Sequence, residues 1–394
     1  MATRVNQKLI EVLEPYGAED VMKCYSCGNC SAACPFSKEP NVFPRRPMHY
    51  LQMGLEDKLK GQLDPWLCYY CGECSDQCPR EAEPGETMMS LRRWLTSTYD
   101  WTGISRLFYR SWRWELSAVF VTAFLTIIGF VMLGLASHGS IHSYDGANGA
   151  KAFLPSSRIH IFDWTLAIVL FSLLASNAVR MWWFTVGRES LGREKKLKVS
   201  LGSYISKIWL LPTHFFTQMR YSKCEHKTPW LTHLALMLSY VTMLVLIMGF
   251  VKEMAAGPHI DWRVHVLGYL ASIGLVVATI LFMRNRLKKT SAQYKHSHES
   301  DWIFLILLLL VTLTGILQHI LHRVGGLDVA ANVAFIVHLA AVVPLLALEV
   351  PFSKWSHLAY RPLGMYLADV RAEALAKETS DEKSADVQLE PARG

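Results

Sequence analysis

The sequence predicts an all-α protein in two parts, a small cysteine-rich helical head followed by a bundle of six membrane-spanning helices. Three observations carry this. Eight of the nine cysteines fall within the first 78 residues, the ninth being Cys224. Beyond them lie five stretches of about twenty residues without a single Asp, Glu, Lys or Arg, and a sixth that is nearly as long. Nowhere in the head does hydrophobicity alternate with period two, the mark of a half-buried strand. With 51% hydrophobic and 19% charged residues over 394 positions, and a mean hydropathy of +0.19, the chain is too apolar for a soluble protein of its length.

The head covers residues 1–100. Its first twenty residues mix charges with short apolar runs and show no signal-peptide pattern. Pro47–Gly61 reads as a short helix. A basic, aromatic stretch follows, with Arg92, Arg93, Trp94, Arg106, Arg110, Trp112, Arg113 and Trp114. Residues 101–158 then comprise this linker, the first span and an outer loop. Residues 159–365 form the rest of the membrane body. The charged tail, 366–394, lacks the aromatic content of a packed element from Glu373 onward and is expected to be disordered.

The charge-free stretches are Leu116–Ala136, Thr228–Val251, Val264–Met283, Trp302–Leu321 and Val329–Leu348. At 1.5 Å per residue each crosses a hydrocarbon layer of about 30 Å. Trp164–Val179 is shorter, bounded by Asp163 and Arg180, and is expected to extend through Trp182, Trp183 and Phe184 as an interfacial aromatic belt. Buried helices of a soluble protein are a poor alternative, because six such stretches leave no polar surface to cover them. Lys and Arg concentrate between Gly187 and Lys227 and again after Met283, so the positive-inside rule places both termini and the head in the cytoplasm, with the chain in the cell's inner membrane. Within the long basic loop, Ser203–Met219 reads as an interfacial segment rather than a seventh span.

The net charge of +7 sits in loops rather than on one face, which argues against nucleic-acid binding. The crowding of cysteines excludes a disulfide framework spread over a secreted fold. Instead one pattern occurs twice: Cys24-x2-Cys27-x2-Cys30-x3-Cys34-Pro35 and Cys68-x2-Cys71-x2-Cys74-x3-Cys78-Pro79. This is the run that holds [4Fe–4S] clusters in bacterial ferredoxins, the fourth cysteine serving the other cluster. Three thiolates at two-residue gaps wrap three corners of a cube, and the partner run supplies the fourth. Cys24, Cys27, Cys30 and Cys78 are therefore assigned to one cluster, and Cys68, Cys71, Cys74 and Cys34 to the other. Structural zinc uses paired Cys-x2-Cys units and fits a doubled four-cysteine run badly. The 33 residues between Cys34 and Cys68 exceed the span of a compact strand-rich ferredoxin and point to a helical dicluster ferredoxin domain. No dinucleotide fingerprint occurs. Cys224 reads as incidental.

Ionisable residues inside a membrane default to function. His233 and His357 lie near the cytoplasmic ends of the spans, and His265, His319 and His338 near the outer ends. Haem b needs two imidazoles from different helices, so two depth layers of histidines predict haem b, two groups in all, with His233 and His357 as one pair. His338 and His357 are 19 residues apart, about 28 Å along a helix, which suits one haem per leaflet. His226, His259 and His322 are expected at the solvated interfaces.

Phe335 to Pro362, FIVHLAAVVPLLALEVPFSKWSHLAYRP, resembles the last span of the dihaem membrane subunit of respiratory nitrate reductase. That resemblance covers about residues 225–365 and implies His233 with His357 at the haem nearer the cytoplasm and His338 at the distal one. It departs where the family's second-span distal ligand falls near Met243, so His265 or His319 must substitute or the distal haem is absent or held differently. The head resembles the small iron–sulfur subunit of heterodisulfide reductase. The fusion of the two resembles the membrane subunits of quinone-interacting membrane-bound oxidoreductase complexes of sulfate reducers. This resemblance implies cytoplasmic flavin and iron–sulfur partner subunits, menaquinone and electron exchange with adenylylsulfate reductase. A heterodisulfide- or sulfite-linked equivalent stays open. The chain lacks the Cys-Cys motif of a disulfide-reducing subunit, so that chemistry would lie in a partner.

The expected function is electron transfer between quinone and a cytoplasmic partner, as a subunit of an oxidoreductase. Lys252 is a candidate proton donor to quinone at the outer side, and Glu349 a proton relay unless it merely pairs with Lys354. A transporter with a regulatory iron–sulfur domain predicts broken helices in paired repeats, which the sequence does not show. A membrane anchor without haem predicts histidines that only pack.

Overall fold

The computed structural model describes residues 4–138, 156–187, 197–255, 262–324 and 327–389. It is 79% helical, and among the described residues there is no strand, only an isolated bridge between Lys38 and Asn41. The all-α expectation holds. The chain divides into two compact units, one of residues 1–103, 176–225 and 357–394, the other of residues 104–175 and 226–356.

In the first unit the cysteine runs lie among short helices, including Leu9–Leu13, Arg45–Gln52, Glu56–Lys60 and Asp64–Leu67, braced by one long helix, Pro84–Tyr99. Pro84 starts that helix with its φ already fixed and no amide to satisfy. Met88, Leu91, Leu95 and Tyr99 recur at three- and four-residue spacing and are all fully buried, so they form the stripe that faces the head's core. The same helix packs on Asp64–Leu67 and on Glu73–Asp76. Arg92 and Arg93 are buried here too, although their sequence context reads as a basic linker. Arg93 bonds Glu86 at 2.8 Å and the carbonyl of Tyr16 at 2.7 Å, which offsets the cost of burying its charge.

The chain after the last span corrects an expectation. Residues 366–389 are helical, within one element His357–Leu389, rather than disordered. Tyr360, Leu367, Val370 and Ala374 are buried, a helical stripe that the charged composition beyond Glu373 obscures in the sequence. Trp66 packs its ring 5.3 Å from that of Tyr360, and a side chain at Gly364 would meet Trp66 Cγ at 3.1 Å, so glycine permits the close approach. Arg371 donates to the carbonyl of Gly61 at 3.2 Å. The segment read as interfacial forms two short helices, Leu201–Lys207 and Leu210–Thr217, the first capped by Ser200.

Among the described residues six helices are long and apolar enough to cross a membrane: Trp112–Ser137, Ile161–Gly187, Thr228–Phe250, Trp262–Lys288, Glu299–Leu321 and Val329–Phe352. The second runs past Val179 through Trp182 and Trp183, and ends in a π-helical turn, Trp183–Gly187. In the second unit the third span packs on the fourth, the fourth on the fifth, the fifth on the sixth and the sixth on the first. Their outward faces carry exposed Phe, Leu, Ile and Val, which suits lipid and not water. The sixth span is the most enclosed, with 39% of its apolar window buried. It is also the most irregular. Pro344 cannot donate to the helix ladder, and the chain answers with a π-helical turn, Leu345–Glu349, before Val350–Phe352 closes the span.

Candidate functional site

The two cysteine runs fold alike. In each, a short helical turn leads to a first cysteine in extended conformation, Cys24 or Cys68. Two and four residues on, the backbone turns left-handed: Ser26 and Gly28 in the first run, Tyr70 and Gly72 in the second, with φ from 55° to 97°. A short helix then carries the third cysteine, Asn29–Ala33 for Cys30 and Glu73–Asp76 for Cys74. Glycine at the second left-handed position costs no steric strain. This curl wraps the chain around a point and turns amides toward sulfur. Ser26 N–H donates to Cys24 Sγ at 3.3 Å, Tyr70 N–H to Cys68 Sγ at 3.3 Å and Ala82 N–H to Cys78 Sγ at 3.4 Å.

The helices Asn29–Ala33 and Glu73–Asp76 pack together, so each run faces the other. A cavity is lined by Cys24, Cys27 and Cys30 together with Cys78. Arg45 stands at its edge, donating to the carbonyl of Ser26 at 2.8 Å. Burial pushes the Cys30 thiol up to about 11, and Cys24, Cys27 and Cys78 add to it. Burial likewise lifts Cys34 to about 12, with Cys68 and Cys71 as the neighbours that add to it. Cys74 is raised by burial and then by Cys68, Cys71 and Cys34. Around Cys30, Cys34 and Cys74 the neighbouring sulfurs thus oppose ionisation, a repulsion that a cationic metal core reverses. Sulfur-only donors with amides aimed at them fit an iron–sulfur cluster better than a hard cation.

The second run is the more enclosed. Cys68 and Cys74 are buried and Cys71 half-buried, whereas Cys27, the equivalent of Cys71, is exposed. Two arginines converge on the carbonyl of Cys68: Arg92, from the long head helix, and Arg361, at 3.0 Å, from the helix after the last span. The Arg361 guanidinium lies 3.8 Å over the Tyr69 ring, and Tyr69 stacks on Tyr221 at 5.0 Å. Cys224, which reads as incidental in the sequence, is buried with its sulfur near that of Cys71: Cys71, Glu73 and Cys224 bring their ligand atoms within 4.8 Å of one another. None of Arg92, Arg361 and Cys224 is flagged by a motif, since each reaches the cysteines from a distant part of the chain.

Among the histidines of the second unit, His338 Nδ1 lies 3.0 Å from the Thr314 hydroxyl, and a Cβ on Gly315 would meet His338 Cε1 at 3.0 Å. The rings of His265 and His319 are neighbours at 5.4 Å, and His319 Nε2 shares a hydrogen bond with the Tyr269 hydroxyl at 2.9 Å. The His233 ring lies 6.4 Å from Phe282. His357 begins the helix His357–Leu389 and belongs to the first unit. Lys252 lies on the helix Thr228–Ala255, with its side chain outside the described residues, as are those of His259 and His322.

Glu349 does not take Lys354 as its ion-pair partner. Lys354 pairs with Asp301, which also accepts from Arg286 at 3.2 Å. Glu349, at the end of the π-helical turn, is fully buried close to Glu115, itself fully buried on the first span and bonded by the Ser353 hydroxyl. The sequence gives no hint of this, because Glu115 sits among arginines and tryptophans that read as interface.

Residues 20–82 match the 4Fe-4S dicluster domain family. The chain therefore carries an iron–sulfur electron-transfer domain on a multi-pass membrane body. Over 98 residues it is 32% identical to a heterodisulfide reductase C-subunit-like protein of Archaeoglobus profundus. That match takes in 25% of this chain and 52% of the relative, so the chain spans about half the length of the curated relative it matches. No solved structure matches.

Proposed function

We propose that this chain carries electrons between a membrane quinone and redox partners in the cytoplasm. In this reading Cys24, Cys27, Cys30 and Cys78 hold one cluster and Cys68, Cys71, Cys74 and Cys34 the other. Bound there, the clusters supply one-electron carriers. The observation that supports it most is the cavity that Cys24, Cys27 and Cys30 share with the last cysteine of the other run. The chain's own part is to hold eight thiolates with amide donors, and to set Arg92 and Arg361 against the second run.

The membrane histidines extend the path by holding haem b, His233 with His357 toward the cytoplasm and His338 with His265 or His319 on the outer side. Support for His338 comes from Thr314 on its Nδ1, the outer-sphere hydrogen bond that fixes the tautomer and orientation of a ligating imidazole. Lys252 and Glu349 are the candidates for moving protons at a quinone site. The likeness of the sequence to membrane subunits of quinone-interacting complexes supports menaquinone, flavin-bearing cytoplasmic partners and adenylylsulfate reductase in sulfate respiration. The similarity to a heterodisulfide reductase C-subunit-like protein supports an equivalent place in a complex of that kind. Both termini lie in the cytoplasm and the body in the inner membrane.

The test is one preparation read three ways: iron and acid-labile sulfide, EPR with redox titration, and pyridine haemochrome. Two cubane signals and a b-type spectrum are expected. Clusters without haem reduce the body to an anchor, and zinc in place of iron and sulfide overturns the proposal.

A further inference from the structure

The two cysteine runs share a backbone but not their surroundings, and the difference centres on a residue outside the dicluster domain. Cys224 lies 142 positions beyond the last residue of that domain, 82. It ends the short turn Tyr221–Lys223 and is 1% exposed. Three independent contacts seat this turn on the second run. The Cys224 and Cys71 sulfurs lie within 4.8 Å of one another. Glu225 N–H donates to Glu73 Oε1 at 2.9 Å. Tyr221 stacks on Tyr69. Its counterpart in the first run, Cys27, is exposed.

A third metal bound by Cys71, Glu73 and Cys224 does not suit this arrangement. Cys71 belongs to a four-sulfur set that would be left with three members, and Glu73 is already engaged by the backbone of Glu225. What remains for Cys224 is its S–H, beside a sulfur that becomes an iron-bound thiolate when the cluster is present. Hydrogen bonds to cluster sulfurs and nearby positive charge stabilise the reduced, more negative cluster and raise its potential; solvent exposure also sets it. The second run has the S–H of Cys224 and the guanidinium groups of Arg92 and Arg361 around it.

We infer that Cys224 is a positioning residue of the second cluster, its thiol donating to the Cys71 sulfur and raising that cluster's potential above its twin's. The inference rests on the ligand assignment proposed above. It gives the polypeptide between the second and third spans a direct hold on one of the two clusters. At equilibrium the electron then resides on the Cys68–Cys71–Cys74–Cys34 cluster.

The experiment is an EPR-monitored redox titration of the purified full-length chain carrying Cys224→Ala, Cys224→Ser or Cys71→Ala, with iron counted in each. In Cys224→Ala one of two midpoints moves to a more reducing value, the other stays, and iron is retained. Cys224→Ser, whose hydroxyl still donates, stays close to the native midpoint. Cys71→Ala loses one cluster. If both midpoints stand unchanged in Cys224→Ala while Cys71→Ala still loses a cluster, the role of Cys224 is wrong and the ligand set survives. Loss of a cluster from both Cys224 variants makes Cys224 a ligand instead and overturns the inference. Retention of both clusters in Cys71→Ala removes the ligand assignment on which it stands.

Discussion

Arg361 donates to the carbonyl oxygen of Cys68 at 3.0 Å, joining two residues 293 positions apart. The same guanidinium covers Tyr69 and shares its acceptor with Arg92. The helix that leaves the last span is thereby fastened to the first cysteine of the second run. Removing the side chain in Arg361→Ala loses a charged donor to a buried carbonyl, a cost of about 2 kcal/mol. The expected outcome is a lower thermal midpoint and a more reducing potential for one cluster. Arg361→Lys keeps the charge but not the planar stack, so it recovers the potential better than the stability. Differential scanning fluorimetry and redox titration read the two effects separately.

The crossed ligand sets predict a reciprocal pair of results. Cys78→Ser and Cys34→Ser each remove the fourth ligand of the cluster built on the other run. Each variant retains roughly half of the native iron, and the surviving EPR signal differs between them. Were the fourth cysteines to serve their own runs, Cys34→Ser would spoil the first run's signal instead. Combining Cys34→Ser with Cys71→Ala decides it, because in the crossed scheme both changes strike one cluster and the second adds no further iron loss.

The cysteine runs and the apolar stretches were legible in the sequence because their chemistry is local. A thiolate run needs its spacing, and a span needs twenty residues without charge. What the sequence did not reveal is what distant segments bring to those elements. Arg92 reads as part of a basic linker, yet it is buried against Pro65 and Cys68. Cys224 has no motif around it, and its meaning comes from lying beside Cys71. The helix beyond Glu373 was hidden by composition, since its buried stripe ends where the charged residues begin. Glu349 was visible as an acid in a span, but its buried neighbour Glu115 was not.

The contact between Leu201–Lys207 and the final helix depends on pH. Hydrogen bonds from Lys377, Ser203 and Lys207 hold the Glu373 carboxyl well below the usual carboxylate range, at about 2. A carboxylate depressed on folding stabilises above its unfolded value, about 4.3, and that contribution is lost as pH falls through the folded value. The contact is therefore fully present at neutral pH and fails between roughly pH 4 and 2. Hydrogen exchange in Leu201–Lys207 rises over that window, and Glu373→Gln shows the same exchange at neutral pH as the native chain shows in acid. High salt weakens the contact as well, since the Lys207–Glu373 pair is only half-buried.

Gly315 gives the sharpest test of the distal histidine. A Cβ at this position would already stand 3.0 Å from His338 Cε1, closer than ordinary van der Waals contact, and the branched side chain of Gly315→Val reaches further into the same ring. His338 has little room to yield, because the Thr314 hydroxyl engages its Nδ1 on the same helix turn. The substitution faces inward between the fifth and sixth spans and leaves the cysteine head untouched. If His338 ligates haem, Gly315→Val loses or shifts one b-type component in the optical redox titration while both cluster signals persist. Gly315→Ala produces a smaller shift of the same component, because one methyl group requires the ring to move only by a few tenths of an ångström. Full haem content with unaltered spectra in Gly315→Val, in protein that still carries its clusters, places the distal ligand elsewhere and leaves His338 as a packing residue.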